Sequence, residues 1–236
     1  VLHLRSAEST RNSMLQELAH DLRTPIASLK NLIETLKVGR KKLDENKTEE
    51  ILTLSLKEVD YFQRLVEDLL FMARMSDPYY RPTLQKVDLA QIVQSEVQGH
   101  ILSRQLSDKG PQAMLKGEVQ DVWVHGDEHL LRRMVRNALE NAFSFAQEKV
   151  DIIVSKQDRQ ALIEIIDDGP GPSLGAMEMF GRKRITRSLA TEQHGGRMSV
   201  GLGSVIMAAI ANIHRGKVGL SKAQNKGALL SIHIPI

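Results

Sequence analysis

The chain contains no cysteine among its 236 residues. This absence excludes disulfides, thiolate catalysis and zinc–sulfur sites, and it fits a reducing compartment. Aromatic residues make up only 4% of the sequence, which argues against an aromatic platform for single-stranded nucleic acid. No apolar run reaches the ~18 residues of a membrane-spanning helix, and no signal peptide opens the chain. We therefore expect a cytoplasmic region, with any membrane anchor placed before Val1.

The overall composition is that of an ordinary globular protein. Hydrophobic residues account for 42% and charged residues for 26%, with a net charge of +3 and a pI of about 9.1. This mild basicity suits anionic partners such as nucleotides. A DNA-binding dimer would in addition need a recognition helix with clustered Arg and Lys, which the sequence lacks. We therefore expect no nucleic-acid partner.

Two apolar stripes occupy the first third of the sequence. Apolar residues recur every three or four positions from about Ser6 to Val38, and a second stripe runs from Leu52 to Met75. A polar segment separates the stripes, so the pattern predicts a helical hairpin. Because a lone hairpin buries so wide an apolar face poorly, we expect a homodimeric four-helix bundle formed through residues 6–75. The alternative is that the hairpin packs on the rest of the chain.

The pattern changes after a proline-containing segment, SDPYYRP. This segment predicts a linker over residues 77–83, between a hairpin domain at 1–76 and a second domain at 84–236. Helical patterns in the second domain start near Asp88, near Asp127 and at GLGSVIMAAIANIH. Strand patterns occur in DVWVHGD, KVDIIVS, ALIEIID, GKVGLS and ALLSIHIPI. Because these elements are intermixed without strict alternation, we expect an α+β sandwich with helices on one face of a mixed sheet.

The stretch LAHDLRTPIASL places chemical groups on a predicted helix. His20 points away from the apolar stripe, and Thr24, one turn later, shares its face. Asp21 is close enough to orient the imidazole and take its proton. Pro25 removes one backbone hydrogen bond, so the helix should kink beside the His–Asp pair. The alternative is an ordinary exposed histidine, although an internal proline costs about 3 kcal/mol and calls for a reason.

Three later motifs could form a nucleotide site. Asn137 and Asn141 are four residues apart on a predicted helix, and their amide oxygens suit Mg²⁺; the alternative is two surface asparagines. Asp167 ends a predicted strand and could accept a hydrogen bond from an adenine amino group, with Gly169 and Gly171 turning the chain beside it; the alternative is a simple turn. The segment GLG opens a helix, whose first backbone N–H groups attract anions.

These motifs carry a resemblance to a known family. AHDLRTPI resembles the phosphoacceptor box of sensor histidine kinases, and RNALENA resembles their asparagine box. IIDDGPGP is similar to their first glycine box and GLG, at residues 201–203, to their second. The four motifs stand in the family's order, and the final GALLSIHIPI is similar to the family's usual ending. The resemblance therefore covers nearly the whole chain.

The resemblance implies the catalytic core of a two-component sensor histidine kinase, with a domain of the histidine kinase, gyrase and Hsp90 type that uses ATP and Mg²⁺. His20 would accept phosphate, Asp21 would act as orienting base, and Thr24 would serve a reverse phosphatase reaction. The phosphate would pass to an aspartate of a response-regulator receiver domain, and Asn141 would hold Mg²⁺. The implied ATP-binding residues are Asn137, Asn141, Phe145, Asp167, Gly169, Gly171, Arg184, Gly201, Leu202 and Gly203.

The sequence departs from the family pattern in three places. Ser144 and Phe145 stand where Lys and Tyr are usual, and Ser199 and Ser204 replace a glycine and a leucine of the second glycine box. The phenylalanine-rich lid is reduced to Phe180, followed by a basic run that could supply phosphate contacts or be a solvated loop. These departures keep two alternatives open: a degenerate kinase that acts as a binding partner or phosphatase, and a different ATPase of the same fold.

Overall fold

A computed structural model describes residues 22–39, 43–75, 77, 79–105, 110–117, 121–181 and 202–236. The chain divides into two compact units, Val1–Arg74 and Met75–Ile236. Within the described ranges, no helix is both long and apolar enough to cross a membrane.

The first unit contains two helices. Residues 22–39 are helical (α1), and α2 spans Glu45–Met75. The Ser28 hydroxyl donates a hydrogen bond to Glu58 Oε1 at 3.1 Å, which joins the helices side by side. The predicted pair of helices is thus confirmed. However, α2 begins earlier than its apolar stripe, because Asp44 Oδ1 accepts the Lys47 N–H at 2.7 Å and caps the first turn.

The helix α1 continues through Pro25, whose side chain is buried. The carbonyl group that this proline would displace belongs to residue 21, outside the described residues. The predicted kink therefore stays a prediction. Thr24 lies in the described part of α1 and is exposed.

The second unit combines a small and a large sheet. β1 and β3 pair antiparallel, and the other five strands are ordered β2-β4-β5-β7-β6. β2 runs parallel to β4, whereas the remaining neighbours are antiparallel, so the predicted mixed sheet is confirmed. The strands are β1 Gln85–Asp88, β2 Gln112–Lys116, β3 Trp123–Gly126, β4 Lys149–Gln157, β5 Gln160–Asp167, β6 Lys217–Lys222 and β7 Ala228–Pro235; the helices are α3 Leu89–Gln105, α4 Glu128–Phe145, α5 Leu174–Met179 and α6 Leu202–Ile213.

The core lies between the large sheet and its helices. Along β7, buried residues alternate with partly exposed ones, so one face of the sheet is covered. Ile152, Ile163 and Ile232 are completely buried on that face. The facing helices contribute an equally buried set: Leu131, Met134, Leu139, Ile206, Met207 and Ile210. This two-layer arrangement is the expected α+β sandwich.

Two helices of this unit begin where the sequence predicts, each after a capping aspartate. Asp88 Oδ1 accepts the N–H of Ala90 at 3.0 Å, just before α3. Asp127 Oδ1 accepts the N–H groups of His129 and Leu130 before α4. The elements β1, β2 and α5 were not predicted. Each has four to six residues with at most one buried side chain, which leaves little hydrophobic pattern to recognise.

Candidate functional site

The helix α4 presents the two asparagines of the candidate site. Asn137 and Asn141 are four residues apart on it, and both are half-buried. Asn137 Nδ2 is buried and has no hydrogen-bond partner among the described residues. A buried amide without a partner is costly in a folded protein, so it points to a ligand that completes its hydrogen bonding.

The start of α6 lies beside this amide. Gly203 is in the first turn of α6, and a Cβ atom placed on it would lie 3.9 Å from Asn137 Oδ1. The first backbone N–H groups of a helix lack intrahelical partners and carry the positive end of the helix dipole. The fold therefore brings an anion-attracting helix end next to an amide with spare hydrogen-bonding capacity.

Asp167 supplies a buried carboxylate at the end of β5. Its side chain is 3% exposed. Oδ1 accepts the N–H of Gly169 at 2.9 Å and that of Ala228 at 3.3 Å. Burial raises the pKa of Asp167, and the two backbone hydrogen bonds offset part of that effect. Neither of these bonds uses Oδ2, which fits an acceptor for a ligand's amino group.

Glycines allow the backbone to close around Asp167. A Cβ atom on Gly227 would collide with the carbonyl oxygen of Asp167, and one on Gly169 would collide with that of Phe145. Gly171 has φ of 78°, a conformation that favours glycine. The glycines of the DGPG segment are thus required by close backbone contacts as well as by the turn.

Asp168, the next residue in the chain, binds backbone N–H groups after the end of α4. Asp168 Oδ1 accepts the backbone N–H of Gln147 at 2.8 Å, and both Asp168 oxygens lie within 3.2 Å of the Glu148 nitrogen. The small burial of Asp168 raises its pKa, but these backbone hydrogen bonds outweigh it, and the pKa is lowered. Asp168 therefore ties the end of α4 to β5. Sequence reasoning missed this role.

The remaining predicted residues are divided between described and undescribed parts of the chain. Phe145 is partly exposed at the last position of α4, and Leu202 is buried at the first position of α6. The other four lie outside the described residues: His20, Asp21, Arg184 and Gly201. The structure thus places Gly203 beside Asn137, and Asn141 and Asp167 belong to the same unit. Its neutral amides, buried carboxylate and helix start fit a nucleotide with Mg²⁺.

Comparison with protein families gives two matches in the same order as the sequence motifs. The model described as "His Kinase A (phospho-acceptor) domain" matches residues 10–78. The model described as "Histidine kinase-, DNA gyrase B-, and HSP90-like ATPase" matches residues 126–236. The second match contains the asparagines and Asp167. The predicted ATP-binding class of this domain is therefore confirmed.

Curated relatives are sensor proteins. The chain is 29% identical to the sensor protein kinase PmrB of Pseudomonas aeruginosa, over 98% of this chain and 47% of that protein. It is 26% identical to the sensor protein KdpD of Clostridium acetobutylicum, over 97% of this chain and 25% of that protein. The chain thus spans between a quarter and a half of the length of these relatives.

Solved structures show the same fold. The histidine kinase AdeS of Acinetobacter baumannii is 20% identical, with a TM-score of 0.67 over 92% of this chain and 97% of that one. The histidine kinase ThkA, solved in complex with the response regulator protein TrrA, is 18% identical. Its TM-score is 0.73 over 98% of this chain and 63% of that one.

Proposed function

Since the chain belongs to the sensor histidine kinases, we propose that it transfers the γ-phosphate of ATP to His20 and then to an aspartate of a response regulator. The observation that carries this proposal is the Asn137 amide beside Gly203 at the start of α6, together with the buried Asp167 carboxylate, in a domain whose family is described as an ATPase. His20 itself falls within the phospho-acceptor match at residues 10–78. We assign residues 1–76 to the acceptor domain, 77–83 to a linker and 84–236 to the catalytic domain.

The nucleotide contacts follow from the chemistry of each group. Asp167 Oδ2 accepts the adenine amino group, because Oδ1 is already engaged with two backbone N–H groups. Asn137 Nδ2 donates to a phosphate oxygen, which gives this buried amide its partner. The first backbone N–H groups of α6, from Leu202 onward, receive the negative triphosphate, and the resemblance implies that Gly201 takes part. Phe145 and Arg184 complete the pocket, as the family resemblance implies.

The phosphotransfer step needs mainly positioning and charge neutralisation. An unprotonated imidazole nitrogen of His20 attacks the γ-phosphorus, so an N–P bond forms. The bond from the γ-phosphorus to the bridging oxygen breaks, and ADP leaves with that electron pair. Asp21 orients the ring and takes the proton from the other imidazole nitrogen.

Asn141 is the residue that we assign to Mg²⁺. Its amide oxygen is a hard neutral ligand, and it lies one turn beyond Asn137 on α4. Mg²⁺, when bound, neutralises charge on the phosphate oxygens. The half-buried position of Asn141 leaves its side chain open to a ligand.

The hairpin supports a homodimer through residues 6–75. Large apolar side chains stay exposed on both helices of the described chain: Ile26, Ile33, Val38, Leu52, Leu54, Leu56, Val59 and Leu70. A second copy that forms a four-helix bundle would cover this surface. Thr24 is exposed on α1, and the resemblance implies that it orients water for removal of phosphate from the regulator.

The decisive experiment is autophosphorylation with ATP labelled at the γ-phosphate, in the presence of Mg²⁺. The wild-type chain should acquire an acid-labile label that His20→Gln abolishes. His125→Gln is the control, since His125 is exposed on β3 of the second unit and is not part of the acceptor motif. Label that persists in His20→Gln would contradict the assignment of the acceptor. A wild-type chain that binds ATP without labelling would favour the degenerate kinase.

A further inference from the structure

His214 is a buried imidazole that the proposed phosphotransfer does not use. It follows the last residue of α6 and is 6% exposed. Its Nδ1 lies 2.7 Å from the carbonyl oxygen of Ile210, and its Nε2 lies 3.0 Å from the backbone nitrogen of Asp127. Because a carbonyl only accepts and a backbone N–H only donates, Nδ1 carries the proton and Nε2 is the acceptor. The ring is thus held in one neutral tautomer.

Asp127 connects this ring to the start of α4. Its Oδ1 caps α4 by accepting the N–H groups of His129 and Leu130. Its Oδ2 accepts the N–H of Thr83 at 2.9 Å, in the segment that precedes β1. The end of α6, the start of α4 and the entry to the small sheet therefore meet at one carboxylate and one imidazole.

Gly126 makes room for the ring at the end of β3. A Cβ atom on this glycine would lie 2.8 Å from His214 Cδ2 and 2.8 Å from Leu131 Cδ1. Two carbon atoms that are not bonded do not approach this closely in a packed interior, so a side chain here would displace the imidazole or Leu131. The imidazole therefore sits in a space that the backbone of β3 leaves for it.

The same two helices meet again at the nucleotide site. Gly203, in the first turn of α6, lies beside Asn137 of α4. Asn137 is ten residues along α4 from Asp127, which corresponds to a rise of about 15 Å. This distance is close to the length of α6, so the two contacts lie at the two ends of α6. The helices thus run in opposite directions and are held together at both ends. A helix is rigid over this length, so a shift at His214 is transmitted to Gly203.

We propose that His214 is a positioning residue for ATP binding. Through its unprotonated Nε2 it holds the start of α4 against the end of α6, and so it sets the spacing of Asn137 and Gly203. Protonation of the ring in acid removes the acceptor of the Asp127 N–H and releases this hold. The inference rests on the proposed nucleotide site.

The charges around the ring set the direction of its titration. Asp127 is the charged side chain that faces the imidazole among the described residues; Arg215, next in the chain, is exposed, and Glu128 pairs with Arg132. Burial lowers the pKa of His214 below 6.5, and the Ile210 carbonyl and the Asp127 charge only partly offset it. A lowered histidine pKa gives stability that is complete above pH 6.5 and is lost as the pH falls through the folded-state pKa.

Two substitutions of His214 distinguish the hydrogen bond that its Nε2 accepts from the protonation of the ring. In His214→Gln, the amide oxygen can take the place of Nε2 and accept the Asp127 N–H without titrating. In His214→Asn, the shorter side chain reaches only the position of Nδ1, and the acceptor is lost. We would measure ATP affinity by calorimetry on the full 236-residue chain, at about pH 7.5 and about pH 5.0, the lower value being well below an ordinary histidine pKa because that of His214 is lowered.

His214→Asn should weaken ATP binding about tenfold at the higher pH, the effect of one buried donor left without an acceptor. His214→Gln should bind within about threefold of wild type, since its acceptor is kept. It should also lose less affinity than wild type on acidification. The phosphates of ATP and the other titratable groups are the same in both proteins, so the difference between their pH profiles isolates His214. Nitrogen NMR of the imidazole checks the tautomer independently of ATP.

The outcomes distinguish this inference from the function on which it rests. A wild-type chain that binds ATP, with His214→Asn binding equally well, would overturn the positioning role. Should His214→Asn not fold, identical pH profiles for wild type and His214→Gln would overturn it. A wild-type chain that does not bind ATP at either pH contradicts the nucleotide site itself, and the inference falls with it.

Discussion

Asp167 Oδ1 accepts the backbone N–H of Gly169 at 2.9 Å and shares that oxygen with the N–H of Ala228. Two donors at one oxygen fix the orientation of the whole carboxyl group. An amide at this position would therefore place its oxygen at Oδ1, and its NH₂ group would take the place of Oδ2. That NH₂ group would face the adenine amino group, so two donors would oppose each other.

Asp167→Asn should therefore weaken ATP binding at least tenfold, about 1.4 kcal/mol. The raised pKa of Asp167 shows that the fold disfavours its charge, so the neutral variant should melt no lower than wild type. Asp168→Asn is the matched control, because its carboxylate binds the backbone of Gln147 and Glu148. It should lower the melting temperature and leave ATP affinity within about threefold. Calorimetry and thermal melts on both variants test whether Asp167 binds adenine. If Asp167→Asn and Asp168→Asn bound ATP with equal affinity, this assignment would be wrong.

Asn137→Ala should separate ligand binding from stability. Since Asn137 Nδ2 has no partner among the described residues, its removal should change the free energy of unfolding by less than about 1 kcal/mol. ATP binding should weaken at least tenfold, because a charged phosphate oxygen loses its donor. Asn212→Ala, exposed on α6, is the control and should affect neither quantity. A large loss of stability in Asn137→Ala would show that the amide serves the fold instead.

The starts of the helices could be predicted from residues close in sequence, whereas the roles of Asp168 and His214, which bond distant partners, could not. Asp88 and Asp127 precede apolar helices and cap the residues that immediately follow, so the local pattern was sufficient. Asp168 bonds a residue 21 positions away, and Asp127 meets His214 across 87 positions. No periodicity or motif encodes such a contact, which exists only after the sheet and helices have packed.

The same limit applies to the small elements of the fold. β4 and β5 were predicted because each has eight or nine residues with a buried apolar series. β2 has five residues, of which three are exposed, and it is an edge strand. Its parallel pairing with β4 is a tertiary contact that a five-residue stretch does not reveal.

Glu96→Gln should destabilise the second unit in a pH-dependent way. Glu96 is 8% exposed on α3 and receives Arg132 Nη1 at 3.1 Å and Arg136 Nε at 3.0 Å. Burial opposes its ionisation, but the two arginines outweigh burial and lower the pKa of Glu96 below 4.5. The substitution should cost about 1.5–3 kcal/mol at neutral pH, the usual effect of hydrogen bonds to a charged group.

A lowered carboxyl pKa gives stability that is present above pH 4.5 and is lost as the pH falls through the folded-state value. The difference between wild type and Glu96→Gln should therefore shrink below that pH in denaturant titrations. Glu128→Gln breaks a more exposed pair with Arg132 and should cost under about 1 kcal/mol. If the Glu96 difference were constant with pH, the two arginines would not be the source of the effect.

Leu56→Glu should dissociate the proposed dimer. Leu56 is 66% exposed on α2 and shares an apolar stripe with Leu52 and Val59, which are also exposed. Burying a leucine side chain contributes about 1.5–3 kcal/mol. Because each of the two protomers loses one buried leucine, the dissociation constant of the dimer should rise at least about a hundredfold. Analytical ultracentrifugation over a concentration series measures the change. Leu102→Glu is the control, because Leu102 is equally exposed, at 64%, but lies on α3 of the second unit. Dissociation by Leu102→Glu, with Leu56→Glu still dimeric, would place the interface on the second unit and contradict a bundle formed through residues 6–75.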